Sequence, residues 1–278
     1  MGNSLRRGTI GRTVELPAAL GAISRRAVKV ALEPAAIGSG LRVRRTDIGR
    51  EWPVDLERVV PVPNCTAIGE GVESVAFVEH LMAALRASLI SDVLIVTDGP
   101  ELPLYDGSAV PFWSALQEAG RAESATTWEP LVIREALEVG EGQGVITGRP
   151  ATRAHLSYEL AHPHPLIGEQ AAGFGEGEDF GRVLAPARTF ATAEEITALY
   201  GMAPTPEMET LCVIVYPDRV SAGGLPGAFA RHKLLDLMGD LYLCGRPIRG
   251  EVRARRSGHS LNRAFLRALL AREPAGQS

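Results

Sequence analysis

Apolar and polar positions alternate through much of the first sixty residues. AVKVALEP (27–34), LRVRRTD (41–47) and VDLERVV (54–60) each set apolar side chains at or near every second position, between turn-forming residues. That is the period of half-buried strands. The period then changes. In VAFVEHLMAALRA (75–87), Phe77, Leu81, Ala84 and Leu85 share one face of a helix. VLIVTD (93–98) is a strongly apolar strand, and it leads into GPELPLYDGSAVPFW (99–113), where proline and glycine dictate an ordered loop. PFWSALQEAG (111–120) reads as a second helix, closed by Gly120 as its C-cap.

The second half repeats the succession of sheet and helix. Residues 121–130, RAESATTWEP, are polar and without period, which marks a linker. LVIREALEV (131–139) and AHLSYELA (154–161) are strand-like, whereas GEQAAGFGEGEDFG (168–181) is rich in glycine and acid and reads as an exposed connection. TAEEITALYG (192–201) predicts a short helix, LCVIVY (211–216) a buried strand and RHKLLDLMGDLYLCG (231–245) a long helix. IRGEVRARR (248–256) is a further strand before a final helix in SGHSLNRAFLRALLARE (257–273), where Ser260 is a candidate cap. The predicted fold class is α+β: two similar domains, each a β-sheet with helices, spanning residues 1–122 and 131–278 about a linker at 123–130. No fixed-period repeat is visible in the residues themselves.

Composition narrows the function classes. The chain has 278 residues, 45% of them hydrophobic, ample for one large core or two moderate ones. Lys and Arg number 29 against 33 Asp and Glu, a formal charge of −4. Such a balance gives no general attraction to nucleic acid or to an anionic membrane, although Arg246, Arg249, Arg253, Arg255 and Arg256 form a local basic cluster. Cys65, Cys212 and Cys244 are widely spaced without a CxxC motif, which fits reduced thiols in the cytoplasm. The opening MGNSLRRGTI lacks the apolar region of a secretory signal, and Arg6 breaks the myristoylation pattern. No apolar run approaches the roughly 18 residues of a membrane span. The expectation is a cytoplasmic monomer without stable membrane insertion.

The long helix at 231–245 carries an anomaly. His232, Asp236 and Asp240 recur every four residues, on one stripe of a helix otherwise rich in leucine. On spacing alone they can be a solvated polar face. A histidine and a carboxylate four apart can equally hold one metal ion, and a third ligand must then come from elsewhere. His80 is the candidate, beside Glu79 in an apolar helix where a buried carboxylate is costly without a partner. Taken alone, His80 can also be a hydrogen-bonded core histidine. Together His80, His232 and Asp236 have the composition of a catalytic zinc site with one open position. Glu79 would take a proton from the attacking water. His259, in the turn SGHSLN, would act as a general acid with Asp240 orienting its imidazole.

FVEHLMAAL, PELPLYDGSAVPF, ARTF (187–190), RHKLLDLMGDLYLCG and RRSGHSLN occur in this order along the chain. In that combination the sequence resembles the zinc-dependent UDP-3-O-acyl-N-acetylglucosamine deacetylases of lipid A biosynthesis, over nearly its whole length. The resemblance implies one Zn2+ per chain on His80, His232 and Asp236, Glu79 as general base, and His259 with Asp240 as the acid pair. It further implies that Thr189 assists at the tetrahedral intermediate, that Lys233 lines the substrate site, and that Phe190 begins the acyl-chain passage. The implied fold packs the helices between two outer sheets and carries a βαβ insert at 191–216 in the second domain. The implied reaction removes acetate from an acylated UDP-amino sugar, with water as co-substrate.

The chain departs from the family pattern in three places. Ile23 stands where a histidine is usual, PTPEME (204–209) replaces a glycine-rich stretch, and Arg256 replaces a lysine. Two other readings therefore stand beside the first. One is a related zinc deacetylase for a different N-acetylated sugar. The other is a non-catalytic protein that binds a sugar nucleotide or a regulatory partner.

Overall fold

The computed structural model describes residues 4–221 and 227–274; the first three residues of the N-terminal stretch read above lie outside it. Within it, the two halves of the chain build the same sheet. In the first half the order is β2 (Val14–Leu20), β3 (Ala27–Pro34), β9 (Val93–Thr97), β4 (Leu41–Arg45) and β5 (Arg50–Pro53). All neighbours run antiparallel except β9 and β4, which are parallel. In the second half the order is β12 (Leu137–Glu141), β13 (Gly144–Arg149), β19 (Glu251–Arg255), β14 (His155–Ala161) and β15 (Glu169–Gly175). Here too only one pair is parallel, β19 with β14. Each half inserts its last strand between two hairpins. The alternation read from the sequence fixes the inward faces: Val28, Val30 and Leu32 on β3, and Val252 and Ala254 on β19, are all buried.

The helices follow the same plan. In each half one helix precedes the central strand and another follows it: α1 (Glu79–Ala87) and α2 (Val110–Ala119) around β9, then α6 (Ala228–Leu241) and α7 (His259–Leu270) around β19. Helix α6 packs against α1 on one side and against β14 and β15 on the other, while α2 lies on β2 and α7 on β12 and β13. This helical layer is faced by strands of both sheets, and a single apolar core runs through it from Ile10 to Leu269.

Smaller elements complete the chain. Strands β6 (Val59–Val60), β7 (Ala67–Glu70) and β8 (Glu73–Val75) form a three-stranded sheet before α1. Strand β11 (Leu131–Val132) pairs in parallel with β18 (Ile248–Arg249). After the single turn of α3 (Phe180–Val183), β16 (Phe190–Thr192) runs through α4 (Ala193–Tyr200) and α5 (Pro206–Leu211) to β17 (Val213–Val215). Strands β16 and β17 are parallel, so 190–215 is a strand–helix–strand excursion, with its own small core of Ile196, Met208 and Ile214.

Several local expectations are corrected. The polar segment expected as a linker is strand β10 (Arg121–Trp128), paired antiparallel with β1 (Leu5–Ile10). It lacks an apolar alternation because this ribbon is largely exposed. The glycine- and acid-rich stretch at 168–181 contains edge strand β15 rather than only a connection. VDLERVV holds a 3-10 turn at Leu56–Arg58 before β6. Ser260 does not cap α7, which starts after Gly258 with no side-chain cap.

Candidate metal centre and catalytic cleft

The polar stripe of α6 faces inward. His232 and Asp236 are 3% exposed and Asp240 not at all, so the solvated-face alternative is ruled out. Helix α1 crosses α6 so closely that an added Cβ on Gly239 would stand 2.0 Å from the carbonyl oxygen of Glu79. The crossing brings His80, in the first turn of α1, to the α6 stripe. His80 Nε2 lies 3.2 Å from His232 Nε2, and each nitrogen is 3.5 Å from Asp236 Oδ1. Donors bound at about 2.0–2.1 Å around a tetrahedral ion sit roughly 3.3–3.4 Å apart. The three atoms therefore already have the spacing of one divalent cation's ligands, and they are buried.

Their electrostatics suit that use. Burial pushes the His232 imidazole down to about 3, so the ring is neutral, which is the ligating form. At His80 burial also opposes charge, but the hydrogen bond and charge of Asp236, with Glu79, outweigh it and raise the imidazole. Burial opposes the charge of Asp236, but the Lys233 ammonium and the hydrogen bond with His80 hold its carboxyl well below the usual range. Positive charge is thus favoured where the three donors meet. Two nitrogens and one carboxylate oxygen are a donor set for zinc that leaves a fourth position open.

Glu79 flanks this cluster. Phe77 takes a left-handed backbone (φ 62°), an unfavourable conformation for an aromatic residue, and the turn it makes starts α1 at Glu79. Thr66 grips that turn from both sides: its carbonyl accepts from Val78 N–H at 3.2 Å, and its N–H donates to Glu79 Oε2 at 3.0 Å. Burial raises the Glu79 carboxyl, with His259 and His80 pulling it back. A carboxyl raised in this way is a stronger proton acceptor than a free carboxylate.

Opposite stands His259, the first residue of α7. Its Nδ1 is 2.8 Å from Asp240 Oδ2, which also accepts from Asn262 Nδ2 at 2.8 Å. Asp240 Oδ1 accepts a short hydrogen bond from the Thr66 hydroxyl. Burial acts against a charged imidazole, but Asp240 prevails and the His259 ring is raised to about 9. With Nδ1 engaged, Nε2 is left to carry a proton outward.

Thr189 completes the cleft. Its hydroxyl is 3.1 Å from both His232 Nε2 and the Gly107 carbonyl. Backbone bonds from Thr189 N–H to Gly107 O and from Val213 N–H to Thr189 O fix it. Gly107 (φ 84°) has no room for a side chain, because a Cβ would meet Leu211 O at 2.4 Å. This is why the DGSA turn needs its glycine. Phe190 packs against Phe229 with the rings tilted (4.6 Å between centroids) and meets His232 edge-on at 5.8 Å. Lys233, partly exposed, donates to Asp236 Oδ2 at 3.1 Å.

All nine residues singled out from the sequence therefore fall in one region. Thr66, Asn262 and Gly239 belong to it as well and were not anticipated. Three arginines of the basic cluster are engaged elsewhere: Arg253 pairs with Glu159, Arg246 with Glu273, and Arg256 bonds Ala161 O and Gln143. Ile23 is exposed in the β2–β3 turn, where its N–H donates to buried Glu101. That turn reaches the excursion at 190–215, since the Arg25 guanidinium lies 6.0 Å from the Tyr200 ring.

Comparison with known proteins points the same way. The model of the family described as UDP-3-O-acyl N-acetylglycosamine deacetylase matches residues 7–271. Curated proteins named UDP-3-O-acyl-N-acetylglucosamine deacetylase are similar over most of the chain. That of Myxococcus xanthus is 36% identical, covering 88% of this chain and 80% of its own. Those of Anaeromyxobacter dehalogenans (37%; 92% and 84%) and Aliivibrio fischeri (36%; 98% and 92%) are equally close.

Proposed function

The chain belongs to the UDP-3-O-acyl-N-acetylglucosamine deacetylase family, and we infer from that membership that it hydrolyses the acetamide of UDP-3-O-acyl-N-acetylglucosamine. The products are UDP-3-O-acyl-glucosamine and acetate, in the committed step of lipid A biosynthesis. It is an enzyme of the amidohydrolase type.

Within that reaction, His80, His232 and Asp236 would hold one zinc ion, a role supported by donor spacings of 3.2–3.5 Å. A zinc ion bound there would supply Lewis acidity to the acetamide carbonyl and lower the pKa of the attacking water. Glu79 accepts the proton of that water as its oxygen bonds to the carbonyl carbon. The Thr189 hydroxyl is placed to donate to the developing oxyanion. His259 Nε2 then protonates the sugar nitrogen as the C–N bond breaks, and Asp240 keeps the imidazole charged and aimed. Lys233 and Phe190 border the substrate, and the excursion from Phe190 to Val215 receives the acyl chain. Exposed Leu199, Tyr200 and Met202, at and just beyond the end of α4, support that last assignment. The repeated sheet order supports two domains, 1–122 and 131–278. Three free thiols, and the absence among the described residues of a helix long and apolar enough to cross a membrane, favour a cytoplasmic enzyme. A complete residue set within one chain favours a monomer.

The observation that carries the reading is the convergence of His80 and His232, 152 residues apart, on Asp236 with Glu79 and His259 at the flanks. Glu79→Gln should retain zinc and lose turnover on the order of 100-fold or more. His232→Ala should lose zinc occupancy. Metal analysis and acetate release on both variants test this, and equal zinc loss in the two would refute the assignment of roles.

A further inference from the structure

Thr66 stands between the two arms of the proposed acid–base machinery. It is fully buried and lies just before β7, outside the helices that carry Glu79, Asp240 and His259. Its backbone N–H donates to Glu79 Oε2 at 3.0 Å, and its hydroxyl makes a short hydrogen bond to Asp240 Oδ1. One residue thus ties a carboxylate at the start of α1 to another near the end of α6.

The direction of the hydroxyl follows from its neighbours. Besides Asp240 Oδ1, Thr66 Oγ1 has His259 Nδ1 and Arg263 Nη1 near it, each at 3.4 Å. A guanidinium only donates, and His259 Nδ1 is engaged by Asp240 Oδ2 at 2.8 Å. The hydroxyl proton therefore goes to the carboxylate, while Arg263, one turn beyond His259 on α7, faces the hydroxyl lone pairs.

What that bond does depends on the carboxylate torsion. The last torsion of an aspartate is broad, so the side chain does not by itself fix the plane of its two oxygens. His259 Nδ1 and Asn262 Nδ2 both lie 2.8 Å from Oδ2, an arrangement that lets the plane swing about that one atom. The Thr66 hydroxyl pins Oδ1 and removes the freedom. A carboxylate with no exposure also needs donors on both oxygens. Glu79 needs none of this, because the Thr66 backbone holds it.

We propose that Thr66 is a positioning residue for the acid arm: its hydroxyl fixes the plane of Asp240, and Asp240 in turn aims His259 at the departing nitrogen. The assignment rests on the deacetylase reading for the reaction it serves, while the hydrogen-bond chain can be observed without turnover.

Thr66→Val keeps the shape and the backbone N–H and removes only the hydroxyl. In the zinc-loaded, full-length protein acting on UDP-3-O-acyl-N-acetylglucosamine, it should lower kcat by about tenfold, with KM and zinc affinity within about twofold of the parent. Thr66→Ser, which restores the donor, should return kcat to within about threefold. In an Asp240→Asn background, Thr66→Val should cost less than about twofold more, since its path to His259 is already cut. A kcat unmoved by Thr66→Val overturns the proposal. So does a Thr66→Ser variant as impaired as Thr66→Val, which would reduce the residue to packing, or an undiminished loss in the Asp240→Asn background. The His259 Nδ1 proton gives a readout independent of catalysis. Hydrogen-bonded to a carboxylate, it produces a far-downfield NMR resonance, assigned by its loss in His259→Gln. Thr66→Val should shift or abolish that resonance and Thr66→Ser should keep it; an unchanged resonance in Thr66→Val overturns the proposal. A parent that released no acetate would refute the deacetylase reading, and the resonance would still decide the hydrogen-bond chain.

Discussion

Replacing Gly239 with alanine isolates the contact that brings together the two helices carrying His80, His232 and Asp236. The added Cβ would lie 2.0 Å from Glu79 O and 2.8 Å from Glu79 C, both backbone atoms that no rotamer change can move. Close carbon–oxygen contacts settle at roughly 3.3 Å or more, so α1 and α6 must part by about 1.3 Å at the crossing. Overpacking of this kind costs about 1–3 kcal/mol, and the better helix propensity of alanine returns about 1. The melting temperature of the metal-free protein should therefore fall only modestly, by less than about 8 °C. The metal centre is far less tolerant. His80 follows Glu79 directly and stands 3.2–3.5 Å from donors on α6, whereas a bound ion accepts errors of about 0.2 Å in its distances. Zinc affinity, read by competition with a chelator, should drop on the order of 100-fold, and acetate release with it. A variant that keeps parental zinc affinity and turns over within twofold of the parent would show that the crossing does not set the site.

Two further substitutions test the electrostatics. Because Asp240 raises His259 to about 9, the imidazole stays charged through neutral pH and loses its proton as pH rises through about 9. Asp240→Asn removes that attraction, so the alkaline limb of kcat/KM should move down by more than one pH unit; an unmoved limb would separate His259 from the proton transfer. Asp92, fully buried, accepts from Arg7, Ser91, Gly38 and Gly40. Burial opposes its charge, but Arg7 and these hydrogen bonds hold the carboxyl below its usual value. Its stabilisation is thus complete above the unfolded carboxylate range, near 3.9, and lost as pH falls through the lower folded value. Asp92→Asn should cost about 2–3 kcal/mol at pH 7, with activity retained. In thermal unfolding the gap to the parent should close on acidification, and a gap independent of pH would contradict the ionic account.

What the chain discloses on its own depends on whether the physics is local. Four-residue spacing on an apolar helix marked His232, Asp236 and Asp240, and a carboxylate beside a histidine in an equally apolar helix marked Glu79 and His80. Those signals survive because burying charge is costly wherever the helix ends up. Thr66 gave no such signal. It lies in a segment without period, and its value comes from touching Glu79 and Asp240, 13 and 174 residues away. Strands β10 and β15 were invisible for a related reason. One forms an exposed ribbon and the other an outer edge, so neither needs apolar alternation. Gly239 is different, because a glycine inside a long helical run costs about 1 kcal/mol and already asks for a packing reason.

The repeated sheet explains why the site is where it is. Helices α1 and α6 hold equivalent places, each preceding the central strand of its half. Their contact is the seam between the two copies of the fold. Each contributes a histidine to one point, yet the rest of the set is unequal: α1 adds Glu79, while α6 adds Asp236 and the aspartate that aims His259. A symmetric seam would offer an ion the same ligands from both sides. The asymmetry instead leaves a carboxylate on one flank and an imidazole paired with Asp240 on the other, the two groups to which the proposed mechanism gives the base and acid roles. The two copies share strand order and no visible residue period, because a sheet constrains only which positions are apolar. The residues at the seam can therefore differ between the two halves without disturbing the sheets that hold them.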